Sequence, residues 1–286
     1  MKIRETLAKY TTLGLGGPAD YLIDVEDING LKKVLEFSKK QKLPLTLLGG
    51  GSNVLVKDGG IRGLVVRLKE DFSGVKINGT KIRCGAGAPL SGVLIAAAAK
   101  GLTGLEFAAG IPGTVGGAAI MNAGANGKEL KDVVSAVTVI DKNGKIKKLT
   151  PAECGFTYRS SKLKGGRMVV IEAVFKLEKS TKERVKAKIL ALLRKRKMGQ
   201  PCSFGTAGCI FKNPRGLAAG QLIDSCDLKG KKVGKAFVSR QHANYLMNRG
   251  SSARDFLKLM ELVKKTVFAK KGVRLEEEIM VLGEDR

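Results

Sequence analysis

LPLTLLGGGSNVLV, residues Leu43–Val56, reads strand, glycine turn, strand. Apolar residues flank the turn on both sides, and no helix signal follows Asn53. A Rossmann or P-loop glycine turn must open a helix, because the bound phosphate sits on that helix's N-terminus. This turn opens none, so both motifs are excluded here. Before it, INGLKKVLEFSKKQ places Leu31, Val34, Leu35 and Ser38 on one face and predicts a helix. After it, GLVVRL, VKIN and KIRCGAG predict short strands. PLSGVLIAAAAKGL predicts a helix with Pro89 in its first turn, where a missing N–H costs nothing.

Glycine makes up 37 of 286 residues, nearly double the usual ~7%. A second cluster, GLEFAAGIPGTVGGAAIMNAGANG (Gly104–Gly127), holds seven glycines, six alanines and two asparagines with almost no charge. Stripping side chains from so long a path lets another backbone, or a large flat ligand, approach closely. Exposed amides there would form a concavity for a pyrophosphate. A packed helix–strand connection with tight turns is the plainer alternative. VVSAVTVIDKNGKIKKLT then predicts a hairpin turning at Lys142-Asn143-Gly144, and MVVIEAVFKLEK a further strand. Composition shifts near Ser180, and a domain boundary is placed there. Beyond it, AAGQLIDSCDLKG predicts a helix stopped by Gly230, KAFVSRQHANYLMN is strand-like, SSARDFLKLMELVKKTVFAKKG is a capped helix, and VRLEEEIMVLG is a final strand.

Hydrophobic content of 43% suffices for real cores. The opening MKIRETLAKY has no apolar signal core, and no run approaches the ~18 apolar residues of a spanning helix. The expectation is a soluble, cytoplasmic protein. Five cysteines (Cys84, Cys154, Cys202, Cys209, Cys226) show no CxxC pair, which argues against a disulfide framework and a structural zinc site. With one histidine, His242, no His-rich metal cluster is available. Net charge is +26, which favours polyanionic partners. The sharpest basic segment, KSTKERVKAKILALLRKRKMGQP, carries Val185, Ile189, Leu192 and Leu193 at helical spacing. It reads as an amphipathic helix with a solvated basic face, a nucleic-acid surface being the alternative. Aromatic residues are only 5% with no Trp, and no nucleic-acid motif is present. In TAGCIFKNP (Thr206–Pro214), Cys209 is either a small buried hydrophobe or a working thiol.

Taken together, TTLGLGGPA, LGGGSNVLVKDGGIRGLVV, the Gly104–Gly127 cluster, YRSSKLK, AGCIFKNP, LIDSCDLKGKKVGKAFVSRQHANYLMN and the terminal LEEEIMVLG carry a resemblance that runs nearly end to end. The chain resembles the UDP-N-acetylenolpyruvoylglucosamine reductase family, flavoenzymes that complete UDP-N-acetylmuramate in bacterial cell-wall synthesis. The glycine clusters alone indicate only the wider vanillyl-alcohol-oxidase-like FAD-binding group; YRSS, FKNP and the C-terminal LxxE are the specific part. The short span between Tyr158 and the basic helix resembles the shorter form of the family.

That resemblance implies an α+β fold: an FAD-binding region of two α+β subdomains (about 1–68 and 69–180) and a smaller α+β substrate domain (181–286). It implies FAD between the subdomains, held by Gly49, Gly50, Gly51, Ser52 and Asn53 and by Ile111, Pro112, Gly113, Thr114, Gly116 and Gly117, with Asn122 and Gly124 nearby. NADPH is the implied hydride donor and a UDP-sugar enolpyruvyl ether the acceptor, with no metal, nucleic acid or membrane involved. Arg159 is the implied carboxylate clamp, since a guanidinium is always charged and binds a carboxylate bidentately. Glu278 matches the family glutamate of the last strand, with Glu276 and Glu277 beside it reading as solvated. Cys209 stands where the family usually has serine; a thiol of pKa ~8.5 is a far better acid than an aliphatic hydroxyl. Tyr158, Lys212, Asn213 and His242 are the implied substrate contacts, and Arg194, Arg196 and Gln200 further candidates for the diphosphate. The rival readings are another FAD oxidoreductase of the wider group and, from a different class, a basic nucleic-acid-binding protein.

Overall fold

The computed structural model describes residues 1–201, 205–250 and 252–285, so Cys202 of the cysteine set lies outside the described residues. The chain divides into two compact units. The first comprises Met1, Leu22–Gly50 and Gly63–Arg196; the second comprises Lys2–Tyr21, Gly51–Arg62 and Lys197–Arg286. The Leu43–Val56 segment is one of the crossings. Its first strand, Leu45–Leu47, runs parallel to Leu64–Val66 in the first unit. Its second, Val54–Val56, runs parallel to Met280–Leu282 in the second. Two parallel pairings explain why both strands read as continuous apolar runs. The turn is a passage between units, not a hairpin.

In the first unit, Asp27 caps the helix Ile28–Lys40 by accepting the Gly30 N–H at 2.7 Å, and Leu31 and Leu35 are its buried face. A five-stranded antiparallel sheet has the order Ile146–Leu149, Val134–Asp141, Met168–Lys176, Lys81–Gly85, Val75–Asn78. The expected hairpin is its edge: Asp141 Oδ1 accepts the Asn143 and Lys145 amides and Gly144 takes a left-handed φ of 78°. Helix Leu90–Ala99 buries Leu90, Val93, Leu94, Ala97 and Ala98. Leu90, Val93, Leu94 and Ala97 share one core with Ile82, Val137, Val139, Ala173 and Phe175.

The basic helix, Lys182–Gly199, belongs to this unit as far as Arg196. Val185 is buried, and Ile189 and Leu192 pack on the same core; burying one such side chain is worth about 1.5–3 kcal/mol. That packing moves the division from the expected Ser180 to Arg196. Leu193, expected on the apolar face, is 39% exposed. The helix is also tied by charge. Glu106, 6% exposed, accepts the Gly104 N–H at 2.7 Å and the Thr103 hydroxyl at 2.5 Å, with Lys188 Nζ 3.7 Å away. Burial pushes the Glu106 carboxyl up, but those hydrogen bonds and Lys188 together hold it below its ordinary value.

The second unit is organised by helix Ala253–Lys271. Ser252 caps it by accepting the Asp255 N–H, and Gly272 ends it at φ 69°. Its buried face, Phe256, Leu259, Met260, Val263 and Val267, shares a core with Ile210, Phe211, Ile223, Val238 and Leu246. The strand-like KAFVSRQHANYLMN resolves into two antiparallel strands, Ala236–Val238 and Leu246–Asn248, with a loop between. The helix expected to run to Gly230 is shorter, Ala219–Asp224.

Candidate active site

The second unit assembles Cys209, Glu278 and Asn53 through backbone hydrogen bonds. Gly208, at φ 80° with open space where a Cβ would sit, turns the chain into Cys209 by left-handed backbone rather than by close packing. From there the segment runs as a ribbon. Cys209 forms an isolated bridge with Tyr245 and Phe211 one with Glu277. The Glu278 N–H donates to the Ile210 carbonyl at 2.8 Å, and the Lys212 N–H to the Glu276 carbonyl at 2.8 Å. Asn53 completes the frame: its Nδ2 donates to the Glu278 carbonyl at 3.2 Å and its own carbonyl accepts the Met280 N–H at 3.0 Å. Glu278 was expected inside the final strand. The strand begins only at Met280, so Glu278 sits half-buried in the approach to it, pinned at both ends of its backbone.

Its neighbours are engaged elsewhere. Glu276 is largely exposed and pairs with the Lys212 ammonium, while Glu277 pairs with Lys264 at 3.1 Å. The Glu277 hydrogen bond raises the Lys264 pKa. Asn213 Oδ1 accepts the Ala219 N–H at 3.0 Å. The His242 ring lies edge-on to Tyr245 at 5.0 Å, and its Nδ1 accepts the Asn244 N–H at 3.3 Å. Burial, helped by Lys229, lowers the His242 pKa, so the neutral imidazole keeps one donor, Nε2–H. Gln200 accepts the Tyr245 hydroxyl at 2.7 Å.

Among the described cysteines, Cys84, Cys154 and Cys226 are buried and Cys209 is the half-exposed one. Burial, with Glu172 adding, pushes the Cys84 thiol up to about 12, and burial with Glu153 pushes Cys154 to about 11. Those two are inert hydrophobes at neutral pH. Cys209 is the described thiol within reach of solvent.

The first unit carries the glycine clusters and Arg159. A Cβ on Gly50 would stand 2.7 Å from Gly113 Cα, and one on Gly49 2.8 Å from Thr114 Oγ1. The bare backbone of each cluster therefore admits the other. Gly51, Ser52 and Asn53 continue the turn in the second unit. Not every amide in Ile111–Gly117 is available to a ligand. The Ile111 N–H donates to Ala108, that of Gly116 to Ala86 at 2.8 Å, and that of Gly117 to its capping Thr114 hydroxyl at 3.4 Å. Pro112 has none. Gly113 and Thr114 remain as donors, beside the exposed Gly49 and Gly50, whose amides reach no acceptor among the described residues. That cradle of neutral donors, with side chains absent where they would obstruct, fits a pyrophosphate.

Asn122 has another job than the expected cofactor contact. It is fully buried at a left-handed φ of 43°, ending the helix Val115–Met121. Its Nδ2 donates to Glu129 at 2.9 Å and to the Thr157 carbonyl at 3.0 Å, and its Oδ1 accepts the Lys131 N–H at 3.0 Å. Both ends of the amide are spent on the protein. Gly124 pairs with Glu129 in the short ladder that follows. What Asn122 supports is the turn holding Tyr158 and Arg159. Thr157 and Ser160 exchange backbone hydrogen bonds of 3.0 and 3.2 Å across that turn, with Arg159 left-handed at φ 54°. The Arg159 guanidinium lies 5.1 Å from the Tyr158 ring centroid, a cation–π distance.

Among the described residues, no group of three or more His, Cys, Asp or Glu side chains is arranged to hold a metal ion. No helix of these residues is long and apolar enough to cross a membrane.

Comparison with known proteins agrees over the whole length. Residues 19–150 match the model of an FAD binding domain, and residues 200–282 that of the UDP-N-acetylenolpyruvoylglucosamine reductase C-terminal domain. UDP-N-acetylenolpyruvoylglucosamine reductase 2 of Symbiobacterium thermophilum is 43% identical over 280 residues, covering 98% of this chain and 91% of that protein. The Clostridioides difficile reductase is 40% identical over 286 residues, 100% of this chain and 94% of its own. The crystal structure of the Thermus caldophilus enzyme superposes with a TM-score of 0.87 at 38% identity, covering 98% of both chains.

Proposed function

The chain belongs to the UDP-N-acetylenolpyruvoylglucosamine reductase family, and from that membership we propose that Arg159, Cys209 and Glu278 carry its chemistry. The family activity is that of an FAD-dependent UDP-N-acetylmuramate dehydrogenase, using NADPH in peptidoglycan synthesis. When bound, FAD relays hydride from NADPH to the vinyl carbon of the enolpyruvyl ether. The residues then have three tasks: to hold the substrate carboxylate, to bear the charge that develops toward it, and to deliver a proton to the adjacent carbon.

Arg159 holds the carboxylate with its planar fork. Its left-handed turn and the Tyr158 ring fix the direction of the guanidinium. The Cys209 Sγ–H gives the proton, so the double bond gains hydride and proton together, and the thiolate recovers a proton from solvent. Glu278, pinned by Ile210 and Asn53, is the second polar group of the protonation step. The observation that supports this most directly is that hydrogen-bonded backbone in one unit places the one half-exposed described thiol and Glu278 on adjacent ribbons. Gly49, Gly50, Gly51, Ser52 and Asn53, with Ile111, Pro112, Gly113, Thr114, Gly116 and Gly117, form the proposed cofactor segments; Gly113 and Thr114 supply amides, and Gly116 lets the segment pack closely on Ala86. Tyr158, Asn213 and His242 are the proposed substrate contacts. Lys212, already paired with Glu276, orders the ribbon and reaches substrate only by exchanging that partner. We further propose a cytoplasmic location, on the family resemblance.

The test is spectroscopic. The purified protein is expected to be yellow, to bleach with NADPH, and to recover colour when the enolpyruvyl UDP-sugar is added. Bleaching by a simple 2-hydroxy acid, or colour that returns with a 2-oxo acid and not with the sugar nucleotide, would transfer the chain to the wider FAD group.

A further inference from the structure

Asn244 is a polar residue only 1% exposed, and no step above employs it. A buried amide needs partners, and the partners here are unusually specific. Asn244 Oδ1 accepts the Phe211 N–H at 3.0 Å, and Nδ2 returns to the Phe211 carbonyl at 2.8 Å. Its own carbonyl accepts the Ile210 N–H at 2.9 Å. One residue thus supplies to Ile210 and Phe211 the donors and acceptors that a neighbouring strand would otherwise supply. The far side of the same two residues is held by the active-site glutamate region. The Ile210 carbonyl receives the Glu278 N–H at 2.8 Å and the Ile279 N–H at 3.4 Å, and Phe211 bridges Glu277. The residue that opens this clamped segment is Cys209.

We propose that Asn244 is a positioning residue for proton delivery: it holds the Ile210–Phe211 backbone, and thereby the spacing of Cys209 and Glu278. The proposal rests on the reading of Cys209 as the donor. A side-chain amide presents an acceptor and a donor together, and here it satisfies both backbone groups of one residue, Phe211. Aspartate keeps the acceptor and loses the donor. Leucine loses both and strands Phe211 in an apolar surround. Misplacing a reacting group by about 1 Å costs on the order of a hundredfold in rate, so a small shift of this segment appears in the chemical step before it appears in binding.

The experiment compares Asn244→Asp, Asn244→Ser and Cys209→Ala with the parent, all as flavin-loaded full chains. Three quantities are read: the rate of flavin reduction by NADPH, the dissociation constant of the UDP-sugar substrate by calorimetry, and the rate of flavin reoxidation by that substrate. For both Asn244 variants the expected result is unchanged reduction, substrate affinity within about threefold, and reoxidation slowed about a hundredfold. Serine leaves room for a bridging water, so it is the variant to rely on if the aspartate does not fold. Losses of the same size in all three quantities would make Asn244 a general structural residue and overturn the proposal, as would parental reoxidation in a folded variant. Cys209→Ala separates the underlying reading. If it reoxidises normally, the donor assignment fails; if it stalls while the Asn244 variants match the parent, only the positioning role fails.

Discussion

Arg159 and Cys209 are both presented by short segments, and the two segments are built on opposite plans. The Arg159 turn closes locally, by two hydrogen bonds between Thr157 and Ser160, and borrows one buried anchor, Asn122. Among the described residues, the Cys209 ribbon shows no such pair of backbone bonds across a turn. Its partners come from Tyr245 and Asn244 on one side and Glu276–Ile279 on the other. A local turn aims a side chain by backbone dihedral angles; a ribbon between distant segments aims it by register. The first plan is robust to change elsewhere, and the second couples the backbones of Cys209 and Glu278 so that neither moves alone.

The sharpest way to divide the two is at the reacting groups. Cys209→Ala is expected to keep NADPH-driven bleaching and to lose about 10²–10⁴-fold in reoxidation, the usual worth of general acid catalysis. Cys209→Ser restores the hydroxyl usual in the family and is expected to retain turnover. Stopped-flow absorbance of both half-reactions decides it, and full activity in the alanine variant would return Cys209 to a packing role. Next in size is Arg159→Lys, which keeps the charge but loses the fork. About a hundredfold slower reoxidation is expected, as for removal of one oriented donor at a developing charge. Slower reduction with normal reoxidation would refute the clamp.

Asn122→Ala tests whether the local turn really stands on its anchor. Stranding the Lys131 N–H, with the Thr157 carbonyl left to the Ser160 N–H alone, costs about 1–3 kcal/mol, to be read from urea unfolding, with turnover falling alongside. A loss of stability with unchanged turnover would mean the turn aims Arg159 unaided. The smallest effect belongs to His242. Its pKa is lowered in the fold by burial, so the folded state favours the neutral ring. The stabilisation is complete above about pH 6.5, the unfolded value, and is lost as pH falls toward the folded value. Unfolding free energy is expected to decline over that window in the parent and to decline less in His242→Gln.

The contrast of plans also sorts what the sequence made legible. Helices Ile28–Lys40 and Ala253–Lys271 and the hairpin at Asn143-Gly144 announce themselves by periodicity, caps and turn residues, all local signals. The strand–turn–strand reading of Leu43–Val56 held in kind, but its strands pair with Leu64–Val66 and Met280–Leu282, which no local pattern specifies. Asn122 lies among glycines and was read as facing the cofactor; its burial depends on Glu129, Lys131 and Thr157. Asn244 gave no sign at all, because an asparagine in a turn-like QHAN is ordinarily solvated. The first compact unit runs past the expected Ser180 to Arg196 for a related reason. A change to basic composition marks a solvated face, and the opposite face, with Ile189 and Leu192, still packs on the preceding core.

The parallel pairing of Val54–Val56 with Met280–Leu282 bears on how the chain is made. The two strands are separated by roughly two hundred residues, so this is contact of very high order and late closure. On a ribosome, Leu55 and Val56, buried in the finished protein, emerge well before the strand they pair with and wait for it. At about 5–20 residues per second that wait is on the order of ten seconds or more, during which an apolar strand edge stands open. A nascent chain stalled before Met280 would hold Leu55 and Val56 without that strand, an apolar surface of the kind that chaperones recognise.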